Sequence, residues 1–332
     1  MANEGMIWFE HRRLQWRPTA PSLPGAGEIR YRVDAFALNR SELLFMNDDH
    51  YVPRRDGVRL GYEACGVVDA VGEGVNAFKV GDRVTSIPFA SDAYGVNGTW
   101  AITPAEWLVP WPAELSAAEA CSVWMQYLTA YFPLFELAPI QPGQAVLISA
   151  ASSSAAIGAC QLAKARGART IGLTRTSAKA AALRALGYDV VIASDEEADL
   201  AGAVTRAAAG SPVKLSYDAV CGRLIARYIS ALAKGATVFA YGTLSGESEI
   251  RLPMTPAVRG DITVRAYSTP NFSHDPGHRR RAILLLQSLL ASGELRPIVD
   301  RIFPLHAWQD AYARLRSGNQ IGKIVVAIKQ EA

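Results

Sequence analysis

Hydrophobic positions follow two rhythms along this chain of 332 residues. Ahead of Gln144 they come in short runs broken by glycine and proline. Residues 28–36 alternate as a strand, residues 66–71 are a β-branched run closed by Gly72-Glu73-Gly74, and residues 78–84 read as a turn into another strand. That punctuation predicts a small, partly open β-barrel. From Gln144 onward, brief apolar runs alternate with alanine-rich helical stretches. Strands are predicted at 145–149, 170–174, 190–193, 215–220 and 236–241, and helices at 155–166, 178–186, 199–209 and 224–234. Alternation at this spacing predicts an α/β fold, a doubly wound parallel sheet that binds ligands beyond the carboxyl ends of its strands. A last segment, with helices at 279–291 and 307–316 and strands at 298–303 and 323–328, is expected to return to the first domain.

Composition adds exclusions. Half of the residues are hydrophobic, enough for a sizeable core, and the net charge is +3 with acids and bases spread along the length. No basic block or arginine-aromatic run points to nucleic acid. No stretch of about 18 apolar residues is present, so no membrane span is expected. Residues 1–9 lack the cationic flank and apolar core of a signal peptide. Cys65, Cys121, Cys160 and Cys221 stand far apart and never as CxxC. That spacing argues against a disulfide framework or a zinc ribbon and for buried thiols in a reducing compartment. A cytoplasmic protein is expected.

Several segments, taken in order, carry a family resemblance. Leu60-Gly61-Tyr62-Glu63-Ala64-Cys65-Gly66-Val67-Val68 runs on through Val71-Gly72-Glu73-Gly74-Val75 to Val80-Gly81-Asp82-Arg83-Val84. Gln141-Pro142-Gly143-Gln144 leads into a strand, followed by Ala150-Ala151-Ser152 and Gln161-Leu162-Ala163-Lys164. Ala37-Leu38-Asn39-Arg40-Ser41 and Gly322-Lys323-Ile324-Val325 complete the set. The chain resembles the medium-chain dehydrogenase/reductase superfamily, most closely its quinone oxidoreductase-like and alcohol dehydrogenase-like branches. The resemblance implies a GroES-like β-barrel catalytic domain, placed at 1–122 and 269–332, and a Rossmann cofactor domain at 123–268, with the active site in the cleft between them. It also implies an NADPH-dependent oxidoreductase acting on a quinone or an α,β-unsaturated carbonyl.

Zinc members of this family carry a Cys ligand where Asn39 stands and a His where Tyr62 stands. An amide and a phenol are poor zinc ligands, and residues 86–100 hold no cysteine for a structural zinc lobe. No metal is expected. Among the histidines, His274 and His278 flank Pro276 and Gly277 and read as solvated loop residues.

Dinucleotide folds use a glycine-rich turn so that a pyrophosphate can approach the backbone and a helix N-terminus. Here the turn is Ala151-Ser152-Ser153-Ser154-Ala155-Ala156, and Ser152, Ser153 and Ser154 become the expected pyrophosphate contacts. Serines that merely cap a helix are the plainer alternative. The second strand ends in Thr174-Arg175 without the acid that NAD-selective sites place there. Thr174, Arg175 and Lys179 offer a hydroxyl and two cations to a 2′-phosphate, which favours NADPH; exposed charges at a helix start would look the same.

Towards the nicotinamide, the resemblance points to Asn39, Tyr51, Thr129, Val220 and Tyr241. Hydride transfer needs the negative charge that develops on oxygen to be stabilised. Tyr51 and Asn39 are the expected hydrogen-bond partners of a substrate carbonyl, with Tyr51 or water as proton source. Tyr51 could equally be a packing residue, and Thr129 a core helix residue. Phe45, Tyr51, Phe89, Tyr94, Trp100 and Phe272 suggest an apolar or flat small-molecule substrate. A homodimer through an edge strand at 263–267 is expected. The competing readings are a zinc alcohol dehydrogenase, a non-redox cyclase or isomerase retaining the fold, and a binding or structural protein.

Overall fold

A computed structural model describes residues 4–50, 52–89, 91 and 93–328. The chain divides into two compact units, Met1–Met125 with Arg296–Ala332, and Gln126–Leu295. The first unit opens with β1 (Gly5–Glu10), β2 (Arg13–Pro18), β3 (Glu28–Leu38), α1 (Arg40–Asn47), β4 (Val58–Arg59) and β5 (Glu63–Val71). β6 (Arg83–Ser86), β7 (Trp100–Pro104), β8 (Leu108–Pro110) and α2 (Ala117–Ala120) follow. β1 pairs with β2 and β4 in a small sheet that sequence pattern did not suggest. β3 and β5 form the heart of the barrel, where a Cβ on Gly66 would stand 1.9 Å from the Arg32 carbonyl oxygen. Only glycine admits so close a backbone.

Helix α3 (Trp124–Tyr131) runs through the division between the units and passes into a π-helical turn, Phe132–Leu137. The second unit then alternates β9 (Ala145–Ile148), α4 (Ser154–Ala165), β10 (Arg169–Thr174), α5 (Ala180–Ala185), β11 (Val190–Ala193), α6 (Leu200–Ala208), β12 (Val213–Asp218), α7 (Leu224–Tyr228), β13 (Thr237–Ala240), α8 (Met254–Gly260) and β14 (Thr263–Ala266). The sheet order is β11-β10-β9-β12-β13-β14, and every pair is parallel. Order reverses at β9, the topological switch point of a Rossmann sheet. α7 is shorter than expected because the Ala233 N–H turns to the Val213 carbonyl, 3.0 Å away, to bring the chain into β13.

Residues 269–295 stay with the second unit, so the chain crosses back later than the expected position 269. α9 (Pro270–Ser273) and α10 (Pro276–Ala291) account for the difference. Asp275 caps α10 through the His278 N–H at 2.8 Å, and Pro276 fits the first helical position. His278 is therefore a helix residue in contact with the Glu136 carboxylate, which also accepts from Arg281 Nε at 3.2 Å. The expectation of a solvated loop histidine is corrected accordingly.

The tail supplies β15 (Val299–Pro304), α11 (Trp308–Ser317) and β16 (Lys323–Ala327) to the first unit. β16 lies antiparallel against β3, with Ile324 opposite Leu38, in the sheet order β15-β16-β3-β5-β6-β8, with β7 also pairing β3. Ile324 and Val326 join Tyr31, Phe36, Val68 and Tyr312 in one core. Among the described residues, no helix is long and apolar enough to cross a membrane.

A polar knot sits inside this core. Glu42 is fully buried; its Oε1 accepts the Asn39 N–H at 2.8 Å, and its Oε2 accepts Asn97 Nδ2 at 2.8 Å and Tyr312 OH at 2.5 Å. Burial pushes the Glu42 carboxyl up to about 7, against the pull of hydrogen bonds from Tyr312, Asn39 and Asn97. A carboxyl raised in the folded state binds more protons than in the unfolded chain. Its contribution to stability is full below the ordinary carboxylate range and is lost as pH rises through about 7. The loss expected is on the order of 3 kcal/mol. Urea unfolding across pH 5 to 8 is expected to show the decline in wild type and to find it flattened in Glu42→Gln; an equal slope in both would remove Glu42 as its source.

Candidate functional site

At the carboxyl end of β9 the chain makes a tight turn without a glycine. Ala150 takes the left-handed conformation instead, at φ 48°, a strain of about 1 kcal/mol for a residue with a Cβ. Ser153 caps α4, its Oγ accepting the Ala156 N–H at 3.2 Å. Ser154 opens the helix, whose first-turn N–H groups have no intrahelical partner. Lys179 Nζ reaches Ser152 Oγ at 3.1 Å, so two residues far apart in sequence meet at the turn. Hydroxyls, helix N–H groups and an ammonium form a donor set suited to phosphate oxygens. The residues present fit a dinucleotide's phosphates.

Tyr188 explains how the turn holds its shape. Its hydroxyl lies 3.1 Å from the Ala151 carbonyl oxygen and 2.9 Å from that of Ala156, bracing the turn to the helix from below. Gly172 makes room for this brace, since a Cβ there would come within 2.9 Å of the Tyr188 ring. Nothing in the sequence signals the brace, because Tyr188 sits beyond the next helix, in the connection to β11.

Thr174 ends β10 half-buried, and Arg175 follows exposed. Their carbonyls accept from Ser194 N–H at 2.7 Å and Asp195 N–H at 3.0 Å. The nearby carboxylate of Glu196 is engaged by Ser177, whose N–H it accepts at 2.9 Å. Thr174 ends β10, Arg175 follows it, and Lys179 closes the short 3-10 turn after them.

Beyond β12, the buried Asp218 organises the backbone. Its Oδ1 accepts Ser149 Oγ at 2.6 Å, the Val220 N–H at 2.8 Å and the Cys221 N–H at 2.9 Å, while Oδ2 accepts Tyr228 OH at 2.6 Å. Val220 is thereby fixed through its N–H. Tyr241, just past β13, stacks on Tyr217 with ring centroids 4.0 Å apart, and burial raises its hydroxyl well above the ordinary tyrosine range. Thr129 lies buried midway along α3. Asp218 and Ser149 escaped sequence reading because a single Asp and Ser 69 positions apart carry no pattern until the sheet pairs their strands.

In the first unit, Asn39 caps α1 and is 5% exposed. Its Nδ2 lies 3.2 Å from both the Ala37 carbonyl and Glu63 Oε2, and its Oδ1 accepts from Lys323 Nζ at 2.7 Å. Both amide N–H groups are committed within the protein, so the expected donation from Asn39 to a substrate carbonyl has no free hydrogen to use. Lys323 Nζ also contacts Glu63 Oε2, and Glu63 Oε1 accepts the Met125 N–H at 2.6 Å. Tyr51, the other expected catalytic residue, lies outside the described residues. Tyr62 packs near His50, ring centroids 6.5 Å apart. Among the described residues, no group of three or more His, Cys, Asp or Glu could hold a metal ion.

Two family models match the chain: the alcohol dehydrogenase GroES-like domain over residues 25–113 and the zinc-binding dehydrogenase domain over residues 156–282. The mycoketide-CoA synthase of Mycobacterium tuberculosis is 30% identical over 96% of this chain, but the chain spans only 7% of that relative's length. Quinone oxidoreductase 1 of Escherichia coli is 29% identical, with 92% of each chain covered. The crystal structure of Escherichia coli quinone oxidoreductase complexed with NADPH superposes with a TM-score of 0.86 at 27% identity, covering 97% of this chain and 99% of that one. Barrel, Rossmann sheet and both matches in this order make the chain a member of the medium-chain dehydrogenase/reductase superfamily, on its quinone oxidoreductase-like branch.

Proposed function

We propose that the chain is an NADPH-dependent oxidoreductase that reduces a quinone or an α,β-unsaturated carbonyl without zinc. The carrying observation is the contact of Lys179 with Ser152, 3.1 Å, at the head of α4. It sets a cation and a hydroxyl together where a dinucleotide's phosphates would be bound. The NADPH complex of the similar quinone oxidoreductase supports the same cofactor here.

In this reading Ser152, Ser153 and Ser154 hold the pyrophosphate. Thr174, Arg175 and Lys179 hold the 2′-phosphate, and Thr129, Val220 and Tyr241 line the nicotinamide side. Bound NADPH supplies a hydride from its dihydronicotinamide. Asp218 acts at one remove, by setting the Val220 backbone. With the Asn39 amide committed, Tyr51 or water is left to hydrogen-bond the carbonyl oxygen and supply the proton. The zinc-free part rests on donor chemistry: both Glu63 oxygens are engaged by Lys323 and Met125, and Asn39 faces an ammonium.

The edge strand β14 and the exposed Met254 and Val258 on the preceding α8, 65% and 70% exposed, support pairing with a second copy. Sedimentation of the purified protein is expected to give a dimer; a monomer at micromolar concentration would contradict this pairing.

Arg175→Ala is expected to weaken NADPH by about tenfold, the order of one lost charge-assisted contact, while changing NADH little. Fluorescence titration with both cofactors reads this directly. Equal losses for the two would refute the 2′-phosphate assignment. Tight NADPH binding with no oxidation by any quinone or enone would favour a non-redox enzyme on the same fold.

A further inference from the structure

Three neighbouring strands end at one buried polar centre. β16 lies beside β3, with Ile324 opposite Leu38, and β3 lies beside β5, with Ala37 opposite Glu63. That register brings Lys323, Asn39 and Glu63 together at the same end of the sheet. The Lys323 and Glu63 side chains are each 1% exposed and in direct contact. Glu63 turns one oxygen to Lys323 and Asn39 and the other to the Met125 N–H, 2.6 Å away.

Met125 is the second residue of α3, in the turn whose N–H groups have no partner inside the helix. A carboxylate at that end also complements the helix dipole. Glu63, on β5, therefore caps the helix that carries Thr129. Stability alone does not account for the arrangement, because well-packed apolar residues often replace a buried ion pair without loss. The pair supplies direction: a fixed acceptor at the Met125 N–H and a fixed donor at Asn39 Oδ1.

We propose that Glu63 and Lys323 are a positioning pair for turnover, in which Glu63 pins the first turn of α3 and Lys323 holds both Glu63 and the Asn39 amide in place. Both act through the groups they hold, the Met125 N–H and the Asn39 amide. The kinetic consequence rests on the oxidoreductase reading above, whereas the structural consequence does not.

The test uses the full-length double variant Glu63→Leu with Lys323→Met, which removes both charges of the pair together so that neither is left buried alone. Two readouts are taken. Hydrogen exchange of residues 124–129 is expected to quicken at least about tenfold as the cap is lost, with the strands of the parallel sheet unchanged. With 1,4-naphthoquinone as acceptor, kcat for NADPH oxidation is expected to fall by at least about tenfold while KM for NADPH stays within about threefold. Lys323→Arg keeps the buried charge but moves its donors, so the same readouts are expected to shift by about threefold at an unchanged melting temperature; it decides the matter should the double variant not fold. Wild-type exchange at 124–129, or wild-type kcat, in a folded variant overturns the proposal. A wild-type protein that fails to oxidise NADPH with the quinone refutes the oxidoreductase reading, and exchange still decides the positioning role.

Discussion

The contact between Lys323 and Glu63 is the constraint on which the first unit depends. Either charge alone, at 1% exposure, would cost several kcal/mol to bury. The lysine arrives on β16, near the end of the chain, and the carboxylate on β5, 260 positions earlier. The barrel's polar centre is thus complete only when the tail has returned. The same closure seats Tyr312 of α11 on Glu42, so two buried carboxylates fix the start of α1, one through the Asn39 backbone and one through its side chain.

The second unit shapes its serine turn by different means. A glycine-rich turn ordinarily lets phosphate approach the backbone. Here Ala150 accepts a left-handed conformation, the serines bring hydroxyls, and Tyr188 braces the turn against the helix. The turn lies at the switch between β10 and β12. On the neighbouring strand one buried carboxylate, Asp218, orders a loop through two backbone N–H groups.

Local chemistry made much of this legible in the sequence. The strands of the parallel sheet were readable because buried apolar runs alternate with alanine-rich helices, which also places the serine turn after β9 and Arg175 after β10. What escaped were pairings that exist only after folding. Lys323 reads as part of a terminal Gly-Lys-Ile motif, and Tyr188 as an ordinary connection residue. Asn39 is another such case, since a sequence cannot show that its amide N–H groups meet the Ala37 carbonyl and the Glu63 carboxylate. The return to the first unit at Arg296 is likewise a matter of which contacts the folded chain makes.

The proposed chemistry is hydride delivery from NADPH by a protein that needs no metal. The most direct measurement is the rate of cofactor oxidation by metal-stripped protein with quinone and enone acceptors, using NADPH deuterated at each face of C4 in turn. Undiminished turnover after chelation and a slower rate with one deuterated epimer only are expected. Activity that returns only on adding zinc, or oxidation indifferent to deuterium at either face, would contradict it.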